Sequence, residues 1–329
     1  MWRTVLTSFL VVLSALSLWS QSGKLQLQFY GDFDSNVVVY DDPSVLPVWS
    51  FKQNHLEVFL GSGPDSPVQL TVDVLRPHDL AQLRFDSPWG AFTVGRVLVP
   101  FGTFDMHHLY GGTPEEEGVF LPKLWSDLGV IYSVPTWGPL SGELYVLNGM
   151  SAEGFESGGP SPRLYSVGSS DNNLAKTVGF RTRIDPTPGL WAVLSGSWDP
   201  YSATNQLDKA LGMGGLDAGV SGEGWSLRAG AQVQEILGTS SYLRWGDYAE
   251  ALWNASFDVS LRLRAGQMDT NSLLVNAEDQ ANVNLALLWH LGAFELDLTY
   301  YRNFTVANAV VVGYGSNWQQ VLAKVLVTY

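Results

Sequence analysis

Cysteine is absent from the 329 residues, positive charge is scarce, and beyond residue 22 no apolar run is long enough for a membrane helix. The missing thiols exclude a disulfide framework, a thiol nucleophile, Cys-ligated zinc and a lipidated cysteine anchor. Eighteen Lys and Arg stand against 32 Asp and Glu, a formal net charge of −14, which leaves no basic face for nucleic acid. Charged residues make up 15% of the chain, against roughly 25% in an ordinary soluble domain. Catalytic groups are also sparse. The five histidines, His55, His78, His107, His108 and His290, are scattered, and Asp105-Met-His-His108 offers no third and fourth metal ligand. No nucleophile or acid–base set stands at a recognisable spacing, so neither an enzyme nor a cofactor is expected.

What the chain does hold is aromatic and glycine-rich: 13 Trp, 13 Tyr, 15 Phe and 34 Gly. Its mean hydropathy is +0.04. At the N-terminus Arg3 precedes an apolar run from Val5 to Trp19, and Ser20 and Ser22 are small residues suited to a signal peptidase. Residues 1–22 therefore read as a secretory signal peptide, with an N-terminal membrane anchor as the alternative. Residues 23–329 then form a single domain.

From Lys24 onward apolar and polar residues alternate with period 2, the signature of strands with one apolar face. Phe257-Asp-Val-Ser-Leu-Arg-Leu-Arg-Ala265 is the clearest case, and Phe294-Glu-Leu-Asp-Leu-Thr-Tyr300 repeats it. Sixteen such segments occur, near 24–33, 51–60, 68–75, 80–86, 91–99, 126–134, 140–148, 177–184, 190–198, 213–220, 225–236, 242–253, 257–266, 280–289, 293–302 and 318–329. All 16 prolines fall between them, as expected if proline avoids central strands.

The connections alternate in length. One set is short, such as Ser87–Gly90, Pro135–Pro139, Asp185–Gly189, Ser221–Gly224 and His290–Gly292. The other includes Asp34–Ser50, Pro100–Trp125, Gly149–Lys176 and Asn303–Asn317. An antiparallel meander with one short-turn end and one long-loop end is the layout of an all-β, transmembrane β-barrel of about 16 strands, with 14 or 18 as neighbouring even counts. Short turns would be periplasmic and long loops external. Lipid-facing backbone must be paired internally, and strands achieve this only by closing. Trp49, Trp89, Trp125, Trp137, Trp198, Trp225, Trp253, Trp289 and Trp318 lie near strand ends, as interfacial girdles require. A secreted β-sandwich is the soluble alternative, but it does not require long and short connections to alternate.

By alternation and charge, Arg84, Arg96, Arg181, Arg183, Arg228, Arg262 and Arg264 are expected to line the lumen, because lipid-facing arginine costs roughly 2–4 kcal/mol at the midplane. Asp258, Glu295 and Asp297 are expected there too, as are Glu57, Asp73, Asp86, Glu143 and Asp217. Such rows could set a transverse field in a pore or brace the wall as salt bridges.

Two features carry a resemblance. The last strand ends on Tyr329 behind Val321, Ala323, Val325 and Val327, which resembles the C-terminal assembly signal of outer-membrane barrels. Gly95-Arg-Val-Leu-Val-Pro-Phe-Gly102, Asp127-Leu-Gly-Val-Ile-Tyr132 and Gly142-Glu-Leu-Tyr-Val-Leu-Asn-Gly149 together resemble the phosphate-selective porins and their porin-like relatives, over roughly residues 90–150. The resemblance implies a sixteen-stranded channel in the bacterial outer membrane, usually a homotrimer, built by the barrel assembly machinery, with its third loop folded inward. Here that loop is Pro100–Trp125, and its Glu115, Glu116 and Glu117 are the constriction candidates. Phosphate selectivity does not carry over, since the whole chain has only six lysines. The implied function is passive diffusion of small hydrophilic solutes or ions. The alternative is a non-conducting barrel serving as envelope anchor, adhesin or surface enzyme through its long loops.

Overall fold

The computed structural model describes residues 25–40, 48–62, 68–73, 80–103, 126–149, 176–200, 209–238, 241–269, 280–292, 294–305 and 318–328. Within them the chain forms sixteen antiparallel strands: β1 (Leu25–Tyr40), β2 (Val48–Ser62), β3 (Val68–Asp73), β4 (Ala81–Ser87), β5 (Gly90–Leu98), β6 (Ser126–Trp137), β7 (Leu140–Leu147), β8 (Thr177–Thr187), β9 (Leu190–Asp199), β10 (Ala210–Gly222), β11 (Trp225–Leu237), β12 (Tyr242–Asn254), β13 (Val259–Asp269), β14 (Gln280–Leu291), β15 (Phe294–Thr305) and β16 (Trp318–Thr328). Each strand pairs with its sequence neighbours, and β1 pairs with β16 from Tyr30↔Thr328 to Tyr40↔Trp318, so the sheet closes on itself. Closure removes the free edges that lipid could not satisfy.

The two rims differ as the connection lengths predict. At one, β4–β5, β6–β7, β8–β9 and β10–β11 are joined by two residues each, and at the other lie the connections that include Val99–Trp125 and Asn148–Lys176. The strands run longer than their alternation alone indicates at several ends. Pro135 lies inside β6 and Pro186 inside β8, against the expectation that every proline falls between strands. The reason is local: the β6–β7 register shifts between Val134 and Trp137, and the β8–β9 register between Ile184 and Thr187. Such bulges leave a ladder position where the missing proline N–H costs nothing.

The barrel is inverted relative to a soluble protein. On β10, Leu216, Ala218 and Val220 are exposed while Gly215, Asp217 and Gly219 are buried. The same holds on β11, where Val233 is exposed between buried Gln232 and Gln234, and on β13, where Leu263 is exposed between buried Arg262 and Arg264. Apolar rows therefore point outward and polar rows inward, an arrangement stable only when the surroundings are hydrocarbon. Aromatics crowd the short-turn rim, with Trp89 80% and Trp137 82% exposed and Trp225, Trp253, Trp289 and Phe294 also on the outer surface. Trp198, Trp245, Tyr300 and Phe304 form the opposite belt. Together these belts bound an apolar band of the kind that seats a barrel in a bilayer.

The interior is not wholly polar. Val97, Val99, Phe101, Ile131, Tyr145, Leu147, Leu211, Met213 and Ile236 form one buried cluster, with Tyr242 packed against it. Its members come from β5–β7 and the residues just after β5 on one side and from β10–β12 on the other, so apolar packing bridges the lumen toward the long-loop rim.

Candidate functional site: the lumen

Inward-facing charges fall into two populations. Near the short-turn rim they are solvated and paired. Arg84 Nε lies 3.0 Å from Asp86 Oδ1, and Gln69 donates to the same carboxylate. Arg181 Nη2 lies 2.6 Å from Glu143 Oε2, as their direct cross-strand register dictates. Arg183 forks onto Asp185 at 2.8–3.0 Å while lying 5.3 Å from the Trp191 ring centre. His290 Nδ1 sits 2.9 Å from Glu295 Oε2. Solvent screens these pairs, so each adds at most about 1 kcal/mol to stability; their fixed dipoles matter more for a passing ion.

On β10–β15 the charges are buried, apart from the half-buried Arg228, and paired. Arg228 binds Glu250 bidentately at 2.7 and 3.0 Å, and Arg264 Nη1 lies 3.9 Å from the same Oε2 that Arg228 Nη2 holds. The Arg264 guanidinium stacks 4.4 Å above the Tyr248 ring, whose hydroxyl donates to Asp217 at 2.8 Å. Arg262 lies 3.8 Å from Asp297, which accepts from Thr299 at 2.6 Å. Registers place this group: Arg228↔Glu250 and Glu250↔Arg264 are directly opposed on adjacent strands. Opposite charges on the inner face thus neutralise one another in place, and the cluster braces the wall.

The first residues after β5 reach into this interior. Phe101 is 1% exposed, and its ring stands so close to Gly215 of β10 that a β-carbon there would meet it at 3.1 Å. The Gly102 N–H donates to Ser195 Oγ of β9 at 2.9 Å, and the Thr103 side chain hydrogen-bonds Tyr248 of β12. Gly102 has φ +66 and a β-carbon there would meet Asp217 at 3.3 Å, so a side chain would be both strained and crowded. The root of the third long connection is therefore fixed against the wall opposite its own strand.

The structure brings Arg84, Arg181, Arg183, Arg228, Arg262, Arg264, Glu295 and Asp297 to inward positions, along with Asp86, Glu143 and Asp217. Two candidates stand elsewhere. Arg96 belongs to the outward row of Phe92 and Val94, opposite the buried row Ala91, Thr93 and Val97, and donates to Ser126 at 3.1 Å. Its position two residues before the end of β5 explains how an outward arginine is tolerated, because the cost falls to about 0–1 kcal/mol near the interface. Arg302 on β15 is a second outward arginine, 5.3 Å over Phe304. Asp258 is exposed in the β12–β13 turn, since the β13–β14 ladder begins only at Val259↔Trp289. Glu115, Glu116, Glu117 and Tyr329 lie outside the described residues, as does Asp105-Met-His-His108, and the side chains of Glu57 and Asp73 are likewise outside them.

Tyr248, Ser195, Glu250 and Thr103 escaped sequence reasoning. Glu250 alone carried a signal, a carboxylate on the polar face of β12; the others become visible only once the loop root is seen to cross the lumen.

No family model matches the chain, and no curated protein does. Solved structures do. The chain is similar to the anion-selective porin from Comamonas acidovorans, at 12% identity with a TM-score of 0.64 over 94% of this chain and 100% of that one. It is similar to the outer membrane channel DcaP of Acinetobacter baumannii at 10% identity and a TM-score of 0.66, covering 94% and 98%. Salmonella typhi OmpF, solved in complex with daunomycin, matches at 12% identity and a TM-score of 0.62 over 94% and 99%. At these identities the likeness establishes the fold, a porin-type barrel spanning nearly the whole chain.

Proposed function

We propose that the protein is an outer-membrane porin, a passive channel for small hydrophilic solutes or ions. The observation that carries this reading is the inverted closed barrel: apolar rows face out, and charged pairs and the loop root at Phe101–Gly102 face the interior. Short turns then face the periplasm and long loops the exterior. The solvated pairs Arg84–Asp86, Arg181–Glu143, Arg183–Asp185 and His290–Glu295 become the polar lining of the periplasmic vestibule. Glu115, Glu116 and Glu117 become the charge of the constriction loop. No enzymatic step is part of this reading, and the partners are lipid, solute, the barrel assembly machinery and two further copies in a homotrimer. The motif resemblance over residues 90–150 supports kinship with the phosphate-selective porins in architecture, without their basic lining. Residues 1–22 serve as the export signal.

One observation favours the second reading, a sealed barrel acting as envelope anchor or loop scaffold. The apolar cluster from Val97 to Ile236 bridges the interior and narrows any path. Liposome swelling separates the two. Vesicles holding the refolded protein should swell in isotonic sugars at rates that fall with sugar size. Rates equal to protein-free vesicles for every sugar would favour the sealed barrel.

A further inference from the structure

We propose that Tyr248 is a positioning residue for the passage, the centre of a clamp that holds the root of the third loop, Phe101–Thr103, against the inner wall of β9–β12. The clamp has three contacts from one short segment to three strands. Phe101 seats against Gly215, the Gly102 N–H is held by Ser195 at 2.9 Å, and Thr103 bonds Tyr248. Tyr248 is held in turn. Its hydroxyl is fixed by Asp217 at 2.8 Å, and its ring by the Arg264 guanidinium at 4.4 Å. Because Glu250 binds both Arg228 and Arg264, the phenol is tied to a charge network that cannot shift without unpairing buried ions. The clamp therefore fixes the root of the third loop inside the barrel, and with it the width of the passage at that level.

This inference rests on the reading of the barrel as a channel, so its test has one readout that does not need conduction. Tyr248→Phe keeps the ring under Arg264 and deletes only the hydroxyl, and Ser195→Ala deletes the second tether. In planar bilayers both variants, and the pair more so, should show single-channel conductance about 1.5- to 2-fold above the parent, with greater open-channel noise and a shifted reversal potential under a salt gradient. The independent readout exploits the absence of cysteine. Val99→Cys introduces a single thiol at a buried position, 4% exposed, on the clamped segment. A water-soluble thiol reagent should label it slowly in the parent background and at least ten times faster when Tyr248→Phe and Ser195→Ala are both present. If the parent conducts and neither conductance nor labelling changes, the clamp is wrong. If the parent is silent while the variants label fast, the clamp stands and the channel reading falls. If labelling stays slow in a silent barrel, both fall. Equal urea midpoints for parent and Tyr248→Phe would show that the changes are positional; a general loss of stability with no change in selectivity would also overturn the proposal.

Discussion

Arginine placed on the outward surface should cost stability according to its depth. Leu263 on β13 and Leu285 on β14 are each 51% exposed and directly opposed across the ladder. Leu263 lies four residues along the strand from the Val259↔Trp289 pair at the short-turn belt. At about 3.3 Å per residue and a tilt of about 40°, that is about 10 Å along the membrane normal, close to the middle of a band about 25 Å tall. Leu263→Arg and Leu285→Arg should therefore each cost about 2–4 kcal/mol, a fall of about 30- to 700-fold in the folded-to-unfolded ratio. Leu291 is equally open at 50% exposed but ends β14 at the rim, so Leu291→Arg should cost about 0–1 kcal/mol. The assay is reversible urea unfolding in phospholipid vesicles, followed by tryptophan fluorescence. A soluble sandwich would tolerate all three, since exposed positions there change stability by about 0.5 kcal/mol or less. Equal costs at the three positions would refute the inverted barrel, whatever their size.

Other expectations follow from the same geometry. Glu250→Gln leaves the buried Arg264 and the half-buried Arg228 without their carboxylate and should destabilise by about 3 kcal/mol, whereas Asp185→Asn, in a solvated pair, should cost about 1 kcal/mol or less in the same urea assay. Gly129→Ala forces a β-carbon into the β7 backbone, within 2.8 Å of Leu147 Cα, and should abolish the heat-modifiable folded band on gels. Gly214→Ala, which meets only Val233 at 3.6 Å, should leave that band intact. Trypsin added to intact cells should cut at Lys209 in the β9–β10 connection; cleavage only after the outer membrane is breached would reverse the topology.

The strands were legible because period 2 is imposed by the pleat itself, and a membrane on one side with water on the other makes the alternation strong. The lumen was legible only in part. Alternation distinguishes two faces but does not say which is inner where both are apolar. Leu144-Tyr-Val-Leu147 reads the same either way, yet Tyr145 and Leu147 join the inner cluster while Leu144 and Val146 face out. Arg96 shows the limit of the charge rule: a lipid-facing arginine is costly at the midplane but not near a rim, so there its row is set by the pleat alone. Asp258 reads as a strand residue because the pattern of Phe257–Ala265 runs unbroken through a turn that hydrogen bonds from Ser256 and His290 mark off. The clamp was hidden for a different reason. Gly102, Ser195 and Tyr248 are far apart in sequence, and only closure of the barrel puts them together.

Conductance across a planar lipid bilayer, measured on the purified, refolded chain, tests the channel most directly. A channel should give discrete current steps that scale with salt concentration and rise when Tyr248 loses its hydroxyl. A barrel that inserts, resists urea as a folded species and passes no current at any voltage would contradict it.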